Sequence, residues 1–166
     1  MSDQMIARLI AETAAYDRGD PRRIQHFIKV HNFARTIGIL EGLDHTTLFT
    51  LEAAAVVHDI GIHASEEKHN STAGRWQELE GPPIAKELLT RLSFDPEITE
   101  RVCFLVGHHH TYHDISSLDY QILVEADFLV NLYEDDAPPL AVQNALDTIF
   151  HTKSGIRLCQ DLFELS

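Results

Sequence analysis

Helix punctuation recurs from one end of this chain to the other, and no stretch alternates apolar and polar residues for long enough to make a strand. That pattern leaves an all-α fold. Ser2 can cap a first helix carrying Met5, Ile6, Leu9 and Ile10, which stops near Arg18-Gly19-Asp20. Pro21 suits the first turn of a second helix running to about Gly42. Asp44 or Thr46 caps a third, LFTLEAAAVVHDI, which ends at Gly61. The polar stretch HASEEKHNSTAGRWQELEG is expected to be irregular and to serve as a lid or site wall. Pro82-Pro83 should open a short helix through Leu92, and Asp95-Pro96-Glu97 the next one. A helix from about Leu118 to Glu134 follows a loop, and Asp136 with Pro138 starts the last long one. Gly155 is expected to interrupt before IRLCQDLF.

At 166 residues the chain is one domain's worth, expected to span 1–166 without an internal linker or repeat. No apolar run approaches the roughly 20 residues that cross a bilayer, so no membrane partner is expected. MSDQMIARLIAETAAYD lacks the basic start and apolar block of a secretory signal, and Cys103 and Cys159 cannot build a disulfide framework. Both point to the cytoplasm. Against 13 basic residues stand 26 acidic ones, and a net charge of −13 repels a nucleic acid polymer.

Histidine is the unusual component, with 11 in all and His108, His109, His110 and His113 close together. His26, Val30, Phe33 and Ile37 form one stripe of the second helix; Ile24, Phe27, Ile28 and Ala34 form an opposite one, so that helix should be buried on two sides. A lone histidine on an apolar face is ordinarily a hydrogen-bonded core residue. His58 and Asp59 change the balance, because two adjacent polar groups at the end of the run Ala53-Ala54-Ala55-Val56-Val57 are costly without partners. A metal ion would satisfy both, with the carboxylate able to bridge two ions; the alternative is that Asp59 caps a neighbouring helix and His58 orients it. His109 continues the stripe Ile98, Val102, Leu105, whereas His108 and His110 follow other faces, and any of the three could simply complement a helix end. Asp127 stands in the apolar stretch LVEADFLVNL, where an isolated carboxylate would cost several kcal/mol. Ligands from separate helices are how bundle cores build metal sites.

His26 with Phe27-Ile28-Lys29-Val30, the block AAAVVHDIG and then VEADFL resemble the HD superfamily of metal-dependent phosphohydrolases, whose signature is H...HD...D on a helical bundle. The likeness runs from about residue 20 to residue 135, and AAxxHDIG is its specific block. It implies that His26, His58, Asp59 and Asp127 are metal ligands; His31 fits the first position less well. Some members hold a second ion on two further histidines. One of these resembles His109, with His108 open as the other choice; the first falls near Gln77, a poor ligand, unless Glu78, Glu80 or His69 substitutes. Ile62 follows HDIG where the cyclic-dinucleotide subgroup carries lysine, and the GYP-type sequence is absent, which argues against that subgroup.

The resemblance implies an enzyme with one or two divalent ions (Mn, Fe, Co, Ni, Mg or Zn) and Asp59 and His109 at the reaction centre. Its substrate would be a small anionic phosphate ester, a nucleotide foremost, drawn to a locally positive pocket inside an acidic shell. The rivals are a noncatalytic module that senses a nucleotide or metal and a di-iron oxygenase. Lys153 either reaches a substrate phosphate or ends a surface helix closed by Gly155. His110 and His113 are expected to be dispensable.

Overall fold

The computed structural model describes residues 2–165, so the two terminal residues of the expected 1–166 domain lie outside it. Among the described residues there are nine helices and no strand: α1 Ser2–Tyr16, α2 Pro21–Leu40, α3 His45–Val57, α4 Ile62–His69, α5 Gly74–Arg91, α6 Pro96–Val106, α7 Leu118–Glu134, α8 Pro139–Thr148 and α9 Lys153–Phe163. None is long and apolar enough to cross a membrane.

Two helices set the centre. α3 is buried from Phe49 to Val57, and α7 is buried along most of its length. A helix apolar or small on every side must be enclosed by others, and α2 packs against both while α1 and α6 also cover α3. Capping fixes where these helices begin. The Asp20 carboxylate accepts from the Arg23 amide at 3.0 Å, Asp44 from Thr47 at 3.0 Å, and Asp95 from Glu97 at 2.8 Å, each cap contributing about 1 kcal/mol. Of the two α2 stripes, the one carrying His26 is the better buried; on the other, Phe27 and Ala34 are inside but Ile28 is 39 % exposed.

The stretch expected to be irregular is mostly helical. α4 and the first half of α5 occupy it, separated by a short turn at residues 70–73. α5 does not start at Pro82-Pro83 but runs through them. Two prolines remove two amide donors, which ordinarily ends a helix. Here close packing holds the line: a Cβ on Gly61 would come within 2.6 Å of the Gly81 backbone nitrogen, so the chain after α3 rests directly on the α5 backbone.

Gly155 likewise does not interrupt. It lies in the first turn of α9, where its amide donates to the Thr152 hydroxyl at 2.9 Å. Its lack of a side chain admits the carboxylate of Glu125, a fully buried α7 residue that accepts from Gln121 Nε2 at 2.6 Å and from the Thr152 hydroxyl at 2.7 Å. Lys153 therefore begins a helix and does not finish one.

Candidate metal centre

Five side chains from four parts of the fold meet beside the ends of α3 and α6. His26 comes from the first half of α2, His58 and Asp59 follow α3, His109 follows α6, and Asp127 is in mid α7. His58 and His109 are fully buried, and His26, Asp127 and Asp59 are 2 %, 2 % and 7 % exposed. The Nε2 atoms of His26 and His58 are 3.2 Å apart. Asp127 Oδ1 lies 3.1 Å from the first and 3.3 Å from the second. Asp59 Oδ2 is 3.2 Å from His26 Nε2, while its Oδ1 is 3.3 Å from His109 Nε2.

The rings are oriented from behind. His58 Nδ1 donates to the Ala55 carbonyl and His109 Nδ1 to the Val106 carbonyl, each at 2.7 Å. His26 Nδ1 donates to Glu134 at 2.5 Å, and Glu134 is steadied in turn by Lys29 at 2.9 Å. A carbonyl or carboxylate oxygen only accepts, so the hydrogen of each neutral ring sits on Nδ1 and the Nε2 lone pair faces the cluster. This is the arrangement by which metal-binding histidines are aimed. Imidazole and carboxylate donors from several helices form a set suited to a divalent first-row ion. His26, His58 and Asp59 are spaced to share one ion, and so by distance are Asp59, His109 and His110.

Without an ion, protons bridge these donors. Burial alone would lower His26, but its hydrogen bonds to Asp127 and Asp59 push it up to about 10. Burial would raise Asp59, yet His58 beside it and the hydrogen bonds from His109 and His26 hold its carboxyl well below the usual range. Asp127 is lowered against its burial in the same way, by His58 and by hydrogen bonds from His26 and His58.

Of the remaining sequence candidates, His108 is not brought to the cluster. Its Nδ1 donates to the Phe104 carbonyl at 2.7 Å and its ring stacks on Phe104, because the helix end directs it outward. Glu78 instead accepts from the Thr111 hydroxyl at 2.9 Å. Glu80 takes Lys68 and His69, and the His69 ring stacks on Trp76. His31 turns to Glu52. His110, expected to be dispensable, lies against His109 with ring centroids 4.0 Å apart, and Gln77 reaches it at 3.2 Å.

Sequence reasoning missed the supporting residues. Arg23 Nη1 donates to Asp59 Oδ2 at 2.5 Å, and Asn131 donates to Asp127 at 3.0 Å. Helical phase carried the signal: Arg23 is one turn before His26, while Asn131 and Glu134 are one and two turns beyond Asp127. Together with Arg22, Gln77 and His110 these groups line a cavity of ≈ 210 Å³ over the cluster. A larger hollow of ≈ 490 Å³, bounded by Thr47, Asp95, Arg101 and Asp119, contains none of the clustered histidines and lacks the convergent donors.

The sequence matches the HD domain family over residues 23–143. No curated protein matches it significantly. The fold is similar to the crystal structure of a predicted HD superfamily hydrolase from an uncultured Thermotogales bacterium, with a TM-score of 0.66 and 24 % identity over 97 % of this chain and 84 % of that one.

Proposed function

The chain belongs to the HD domain family, and from that premise we propose that it is a metal-dependent phosphohydrolase acting on a small phosphate ester, a nucleotide foremost. The observation that carries this reading is the set of three imidazoles tied down at Nδ1, with their Nε2 atoms turned toward two buried carboxylates. His26, His58, Asp59 and Asp127 would hold the ion. When bound, a divalent ion supplies Lewis-acid charge at a phosphoryl oxygen and acidifies a water.

The chain's own residues supply the rest. The Ala55 carbonyl and Glu134 fix the ligand rings, so little reorganisation accompanies reaction. Burial alone would lower the pKa of His109, but the hydrogen bond and charge of Asp59, 3.3 Å away, raise it, and once protonated His109 would donate from Nε2 to the phosphoryl group as charge builds there. Arg22 and Arg23 line the cavity but are paired with Asp135 and Asp59, so the positive charge that would draw a small anion into a protein of net charge −13 is that of the bound ion. A cavity of ≈ 210 Å³ suits a phosphate with part of its organic group. The reading takes the whole chain as one domain and, with both cysteines free, the cytoplasm as its compartment.

A panel of nucleotide and other phosphate esters, offered with manganese, cobalt, nickel or iron, should show phosphate release that a chelator abolishes. His109→Ala should lower kcat/KM by about 10²–10³, whereas His108→Ala should stay near wild type. An ion-loaded protein that releases phosphate from no member of the panel would instead be a sensor. The Asp59, His109 and His110 grouping is the observation that favours a two-ion centre, which serves hydrolysis as well as the di-iron oxygenase alternative.

A further inference from the structure

His110 stands at ligand distance from Asp59 and His109, but its hydrogen bonds give it the opposite polarity to its neighbours. The hydrogen-bond chain that sets this polarity begins at Thr72. Its carbonyl accepts a 2.6 Å bond from the Gln77 side chain, which must be the amide nitrogen because a carbonyl cannot donate. Gln77 Oε1 is thereby turned to His110 Nε2 at 3.2 Å, and an amide oxygen only accepts. His110 Nε2 therefore carries a hydrogen. The remaining ring nitrogen, Nδ1, lies 3.3 Å from the Tyr112 hydroxyl, which donates to it. One nitrogen is a donor and the other has its lone pair engaged.

Packing restricts rotation of the ring. A Cβ on Gly74 would lie 2.8 Å from His110 Cβ and 2.9 Å from its Cγ, so the α5 backbone lies close against it, and the His109 ring centroid is 4.0 Å away. Gln77 is itself buried, at 7 % exposed. Clamp and hydrogen bonds act on the same ring. His58 and His109, by contrast, donate from Nδ1 to main-chain carbonyls and leave Nε2 facing the cluster.

We propose that Gln77 limits this centre to a single divalent ion by holding His110 as an Nε2–H donor, leaving the Asp59, His109 and His110 group without the free lone pair a second ion requires. Gln77 is thus a positioning residue that acts through the His110 ring. The inference rests on the one-ion site of the proposed function and deepens it, because a one-ion centre is the hydrolytic alternative and not the di-iron one.

Two measurements test it. Nitrogen-15 NMR of the metal-free protein should show His110 as the Nε2–H tautomer, with His58 in the Nδ1–H form; an Nδ1–H signature at His110 overturns the proposal. Equilibrium dialysis against manganese should give one ion per wild-type chain and two per Gln77→Leu chain, with spin coupling between the two ions visible by EPR. Gln77→Met serves the same purpose if the leucine variant does not fold, as judged by circular dichroism. Two ions in the wild type, or one in a folded Gln77 variant, overturns the role of Gln77. Zero ions in the wild type defeats the one-ion site itself and is thereby distinguishable from failure of the Gln77 lock.

Discussion

α2 and α3 bring histidine and carboxylate together twice, and the two meetings differ in kind. Toward the middle of α2, His31 and Arg35 donate to Glu52 of α3, both at 2.9 Å. Burial would raise the Glu52 carboxyl, but the hydrogen bond from His31 and the charge of Arg35 hold it below its ordinary value. Each oxygen of Glu52 meets a hydrogen. At the other end of the same helix pair, His26, His58 and Asp59 set acceptor against acceptor, with two imidazole nitrogens 3.2 Å apart. The contrast teaches that buried histidine and acid do not by themselves make a metal centre. What distinguishes one is a surplus of lone pairs that only a cation or extra protons can reconcile.

Substituting the two clusters in parallel gives the largest expected difference. Asp59→Ala and His26→Ala should retain no ion by elemental analysis yet keep a helical circular dichroism spectrum, since the apolar stripes survive. His31→Ala should retain the ion fully. An ion held by Asp59→Ala, or lost from His31→Ala, would erase the distinction.

A smaller effect separates the clusters by pH. In the metal-free protein His26 is raised to about 10, so its proton stabilises the fold fully below the unfolded value near 6.5, and that contribution is lost as pH rises through about 10. An ion must displace this proton. Manganese affinity, followed by calorimetry between pH 6 and 9, should therefore rise by up to about tenfold per pH unit. A flat profile would show that His26 is not a ligand.

The smallest effect belongs to the satisfied cluster. Glu52→Gln should cost about 1–3 kcal/mol in urea unfolding of the metal-free protein, because Arg35 and His31 lose a charged acceptor. Ion content should not change. A Glu52→Gln protein that unfolds like wild type would mean that this pairing is as weak as an exposed one.

The all-α fold and the inward face of His109 were legible in the sequence because apolar residues mark them: Val102 and Leu105 precede His109 at helical spacing, and all are buried. α4 and the start of α5 were not. After Ile62 their inward residues are Ser65, Gln77 and Gly81, small or polar groups that leave no hydrophobic period although 77, 81, 85 and 88 lie on one helical face. The Pro82-Pro83 pair then suggested a beginning where packing of Gly61 on Gly81 sustains a continuation. His26 and Asp127 could be placed by phase and by likeness, but Arg23 and Glu134 look in the sequence like solvated charges. Only their helical phase relative to His26 and Asp127 pointed inward, and that phase gains meaning once those two residues are known to be at the site.

Glu125 and Asp127 are two positions apart on α7 and so point to nearly opposite sides of it. One faces the clustered histidines; the other is gripped by Thr152 and the glycine at 155. The span that matches the HD domain family ends at residue 143, before that grip begins. A protein trimmed to its recognisable span would keep every candidate ligand and lose the tether that sets the roll of the helix carrying one of them. Natural variation at position 155 would be felt in the same way, as misalignment on the far side of α7.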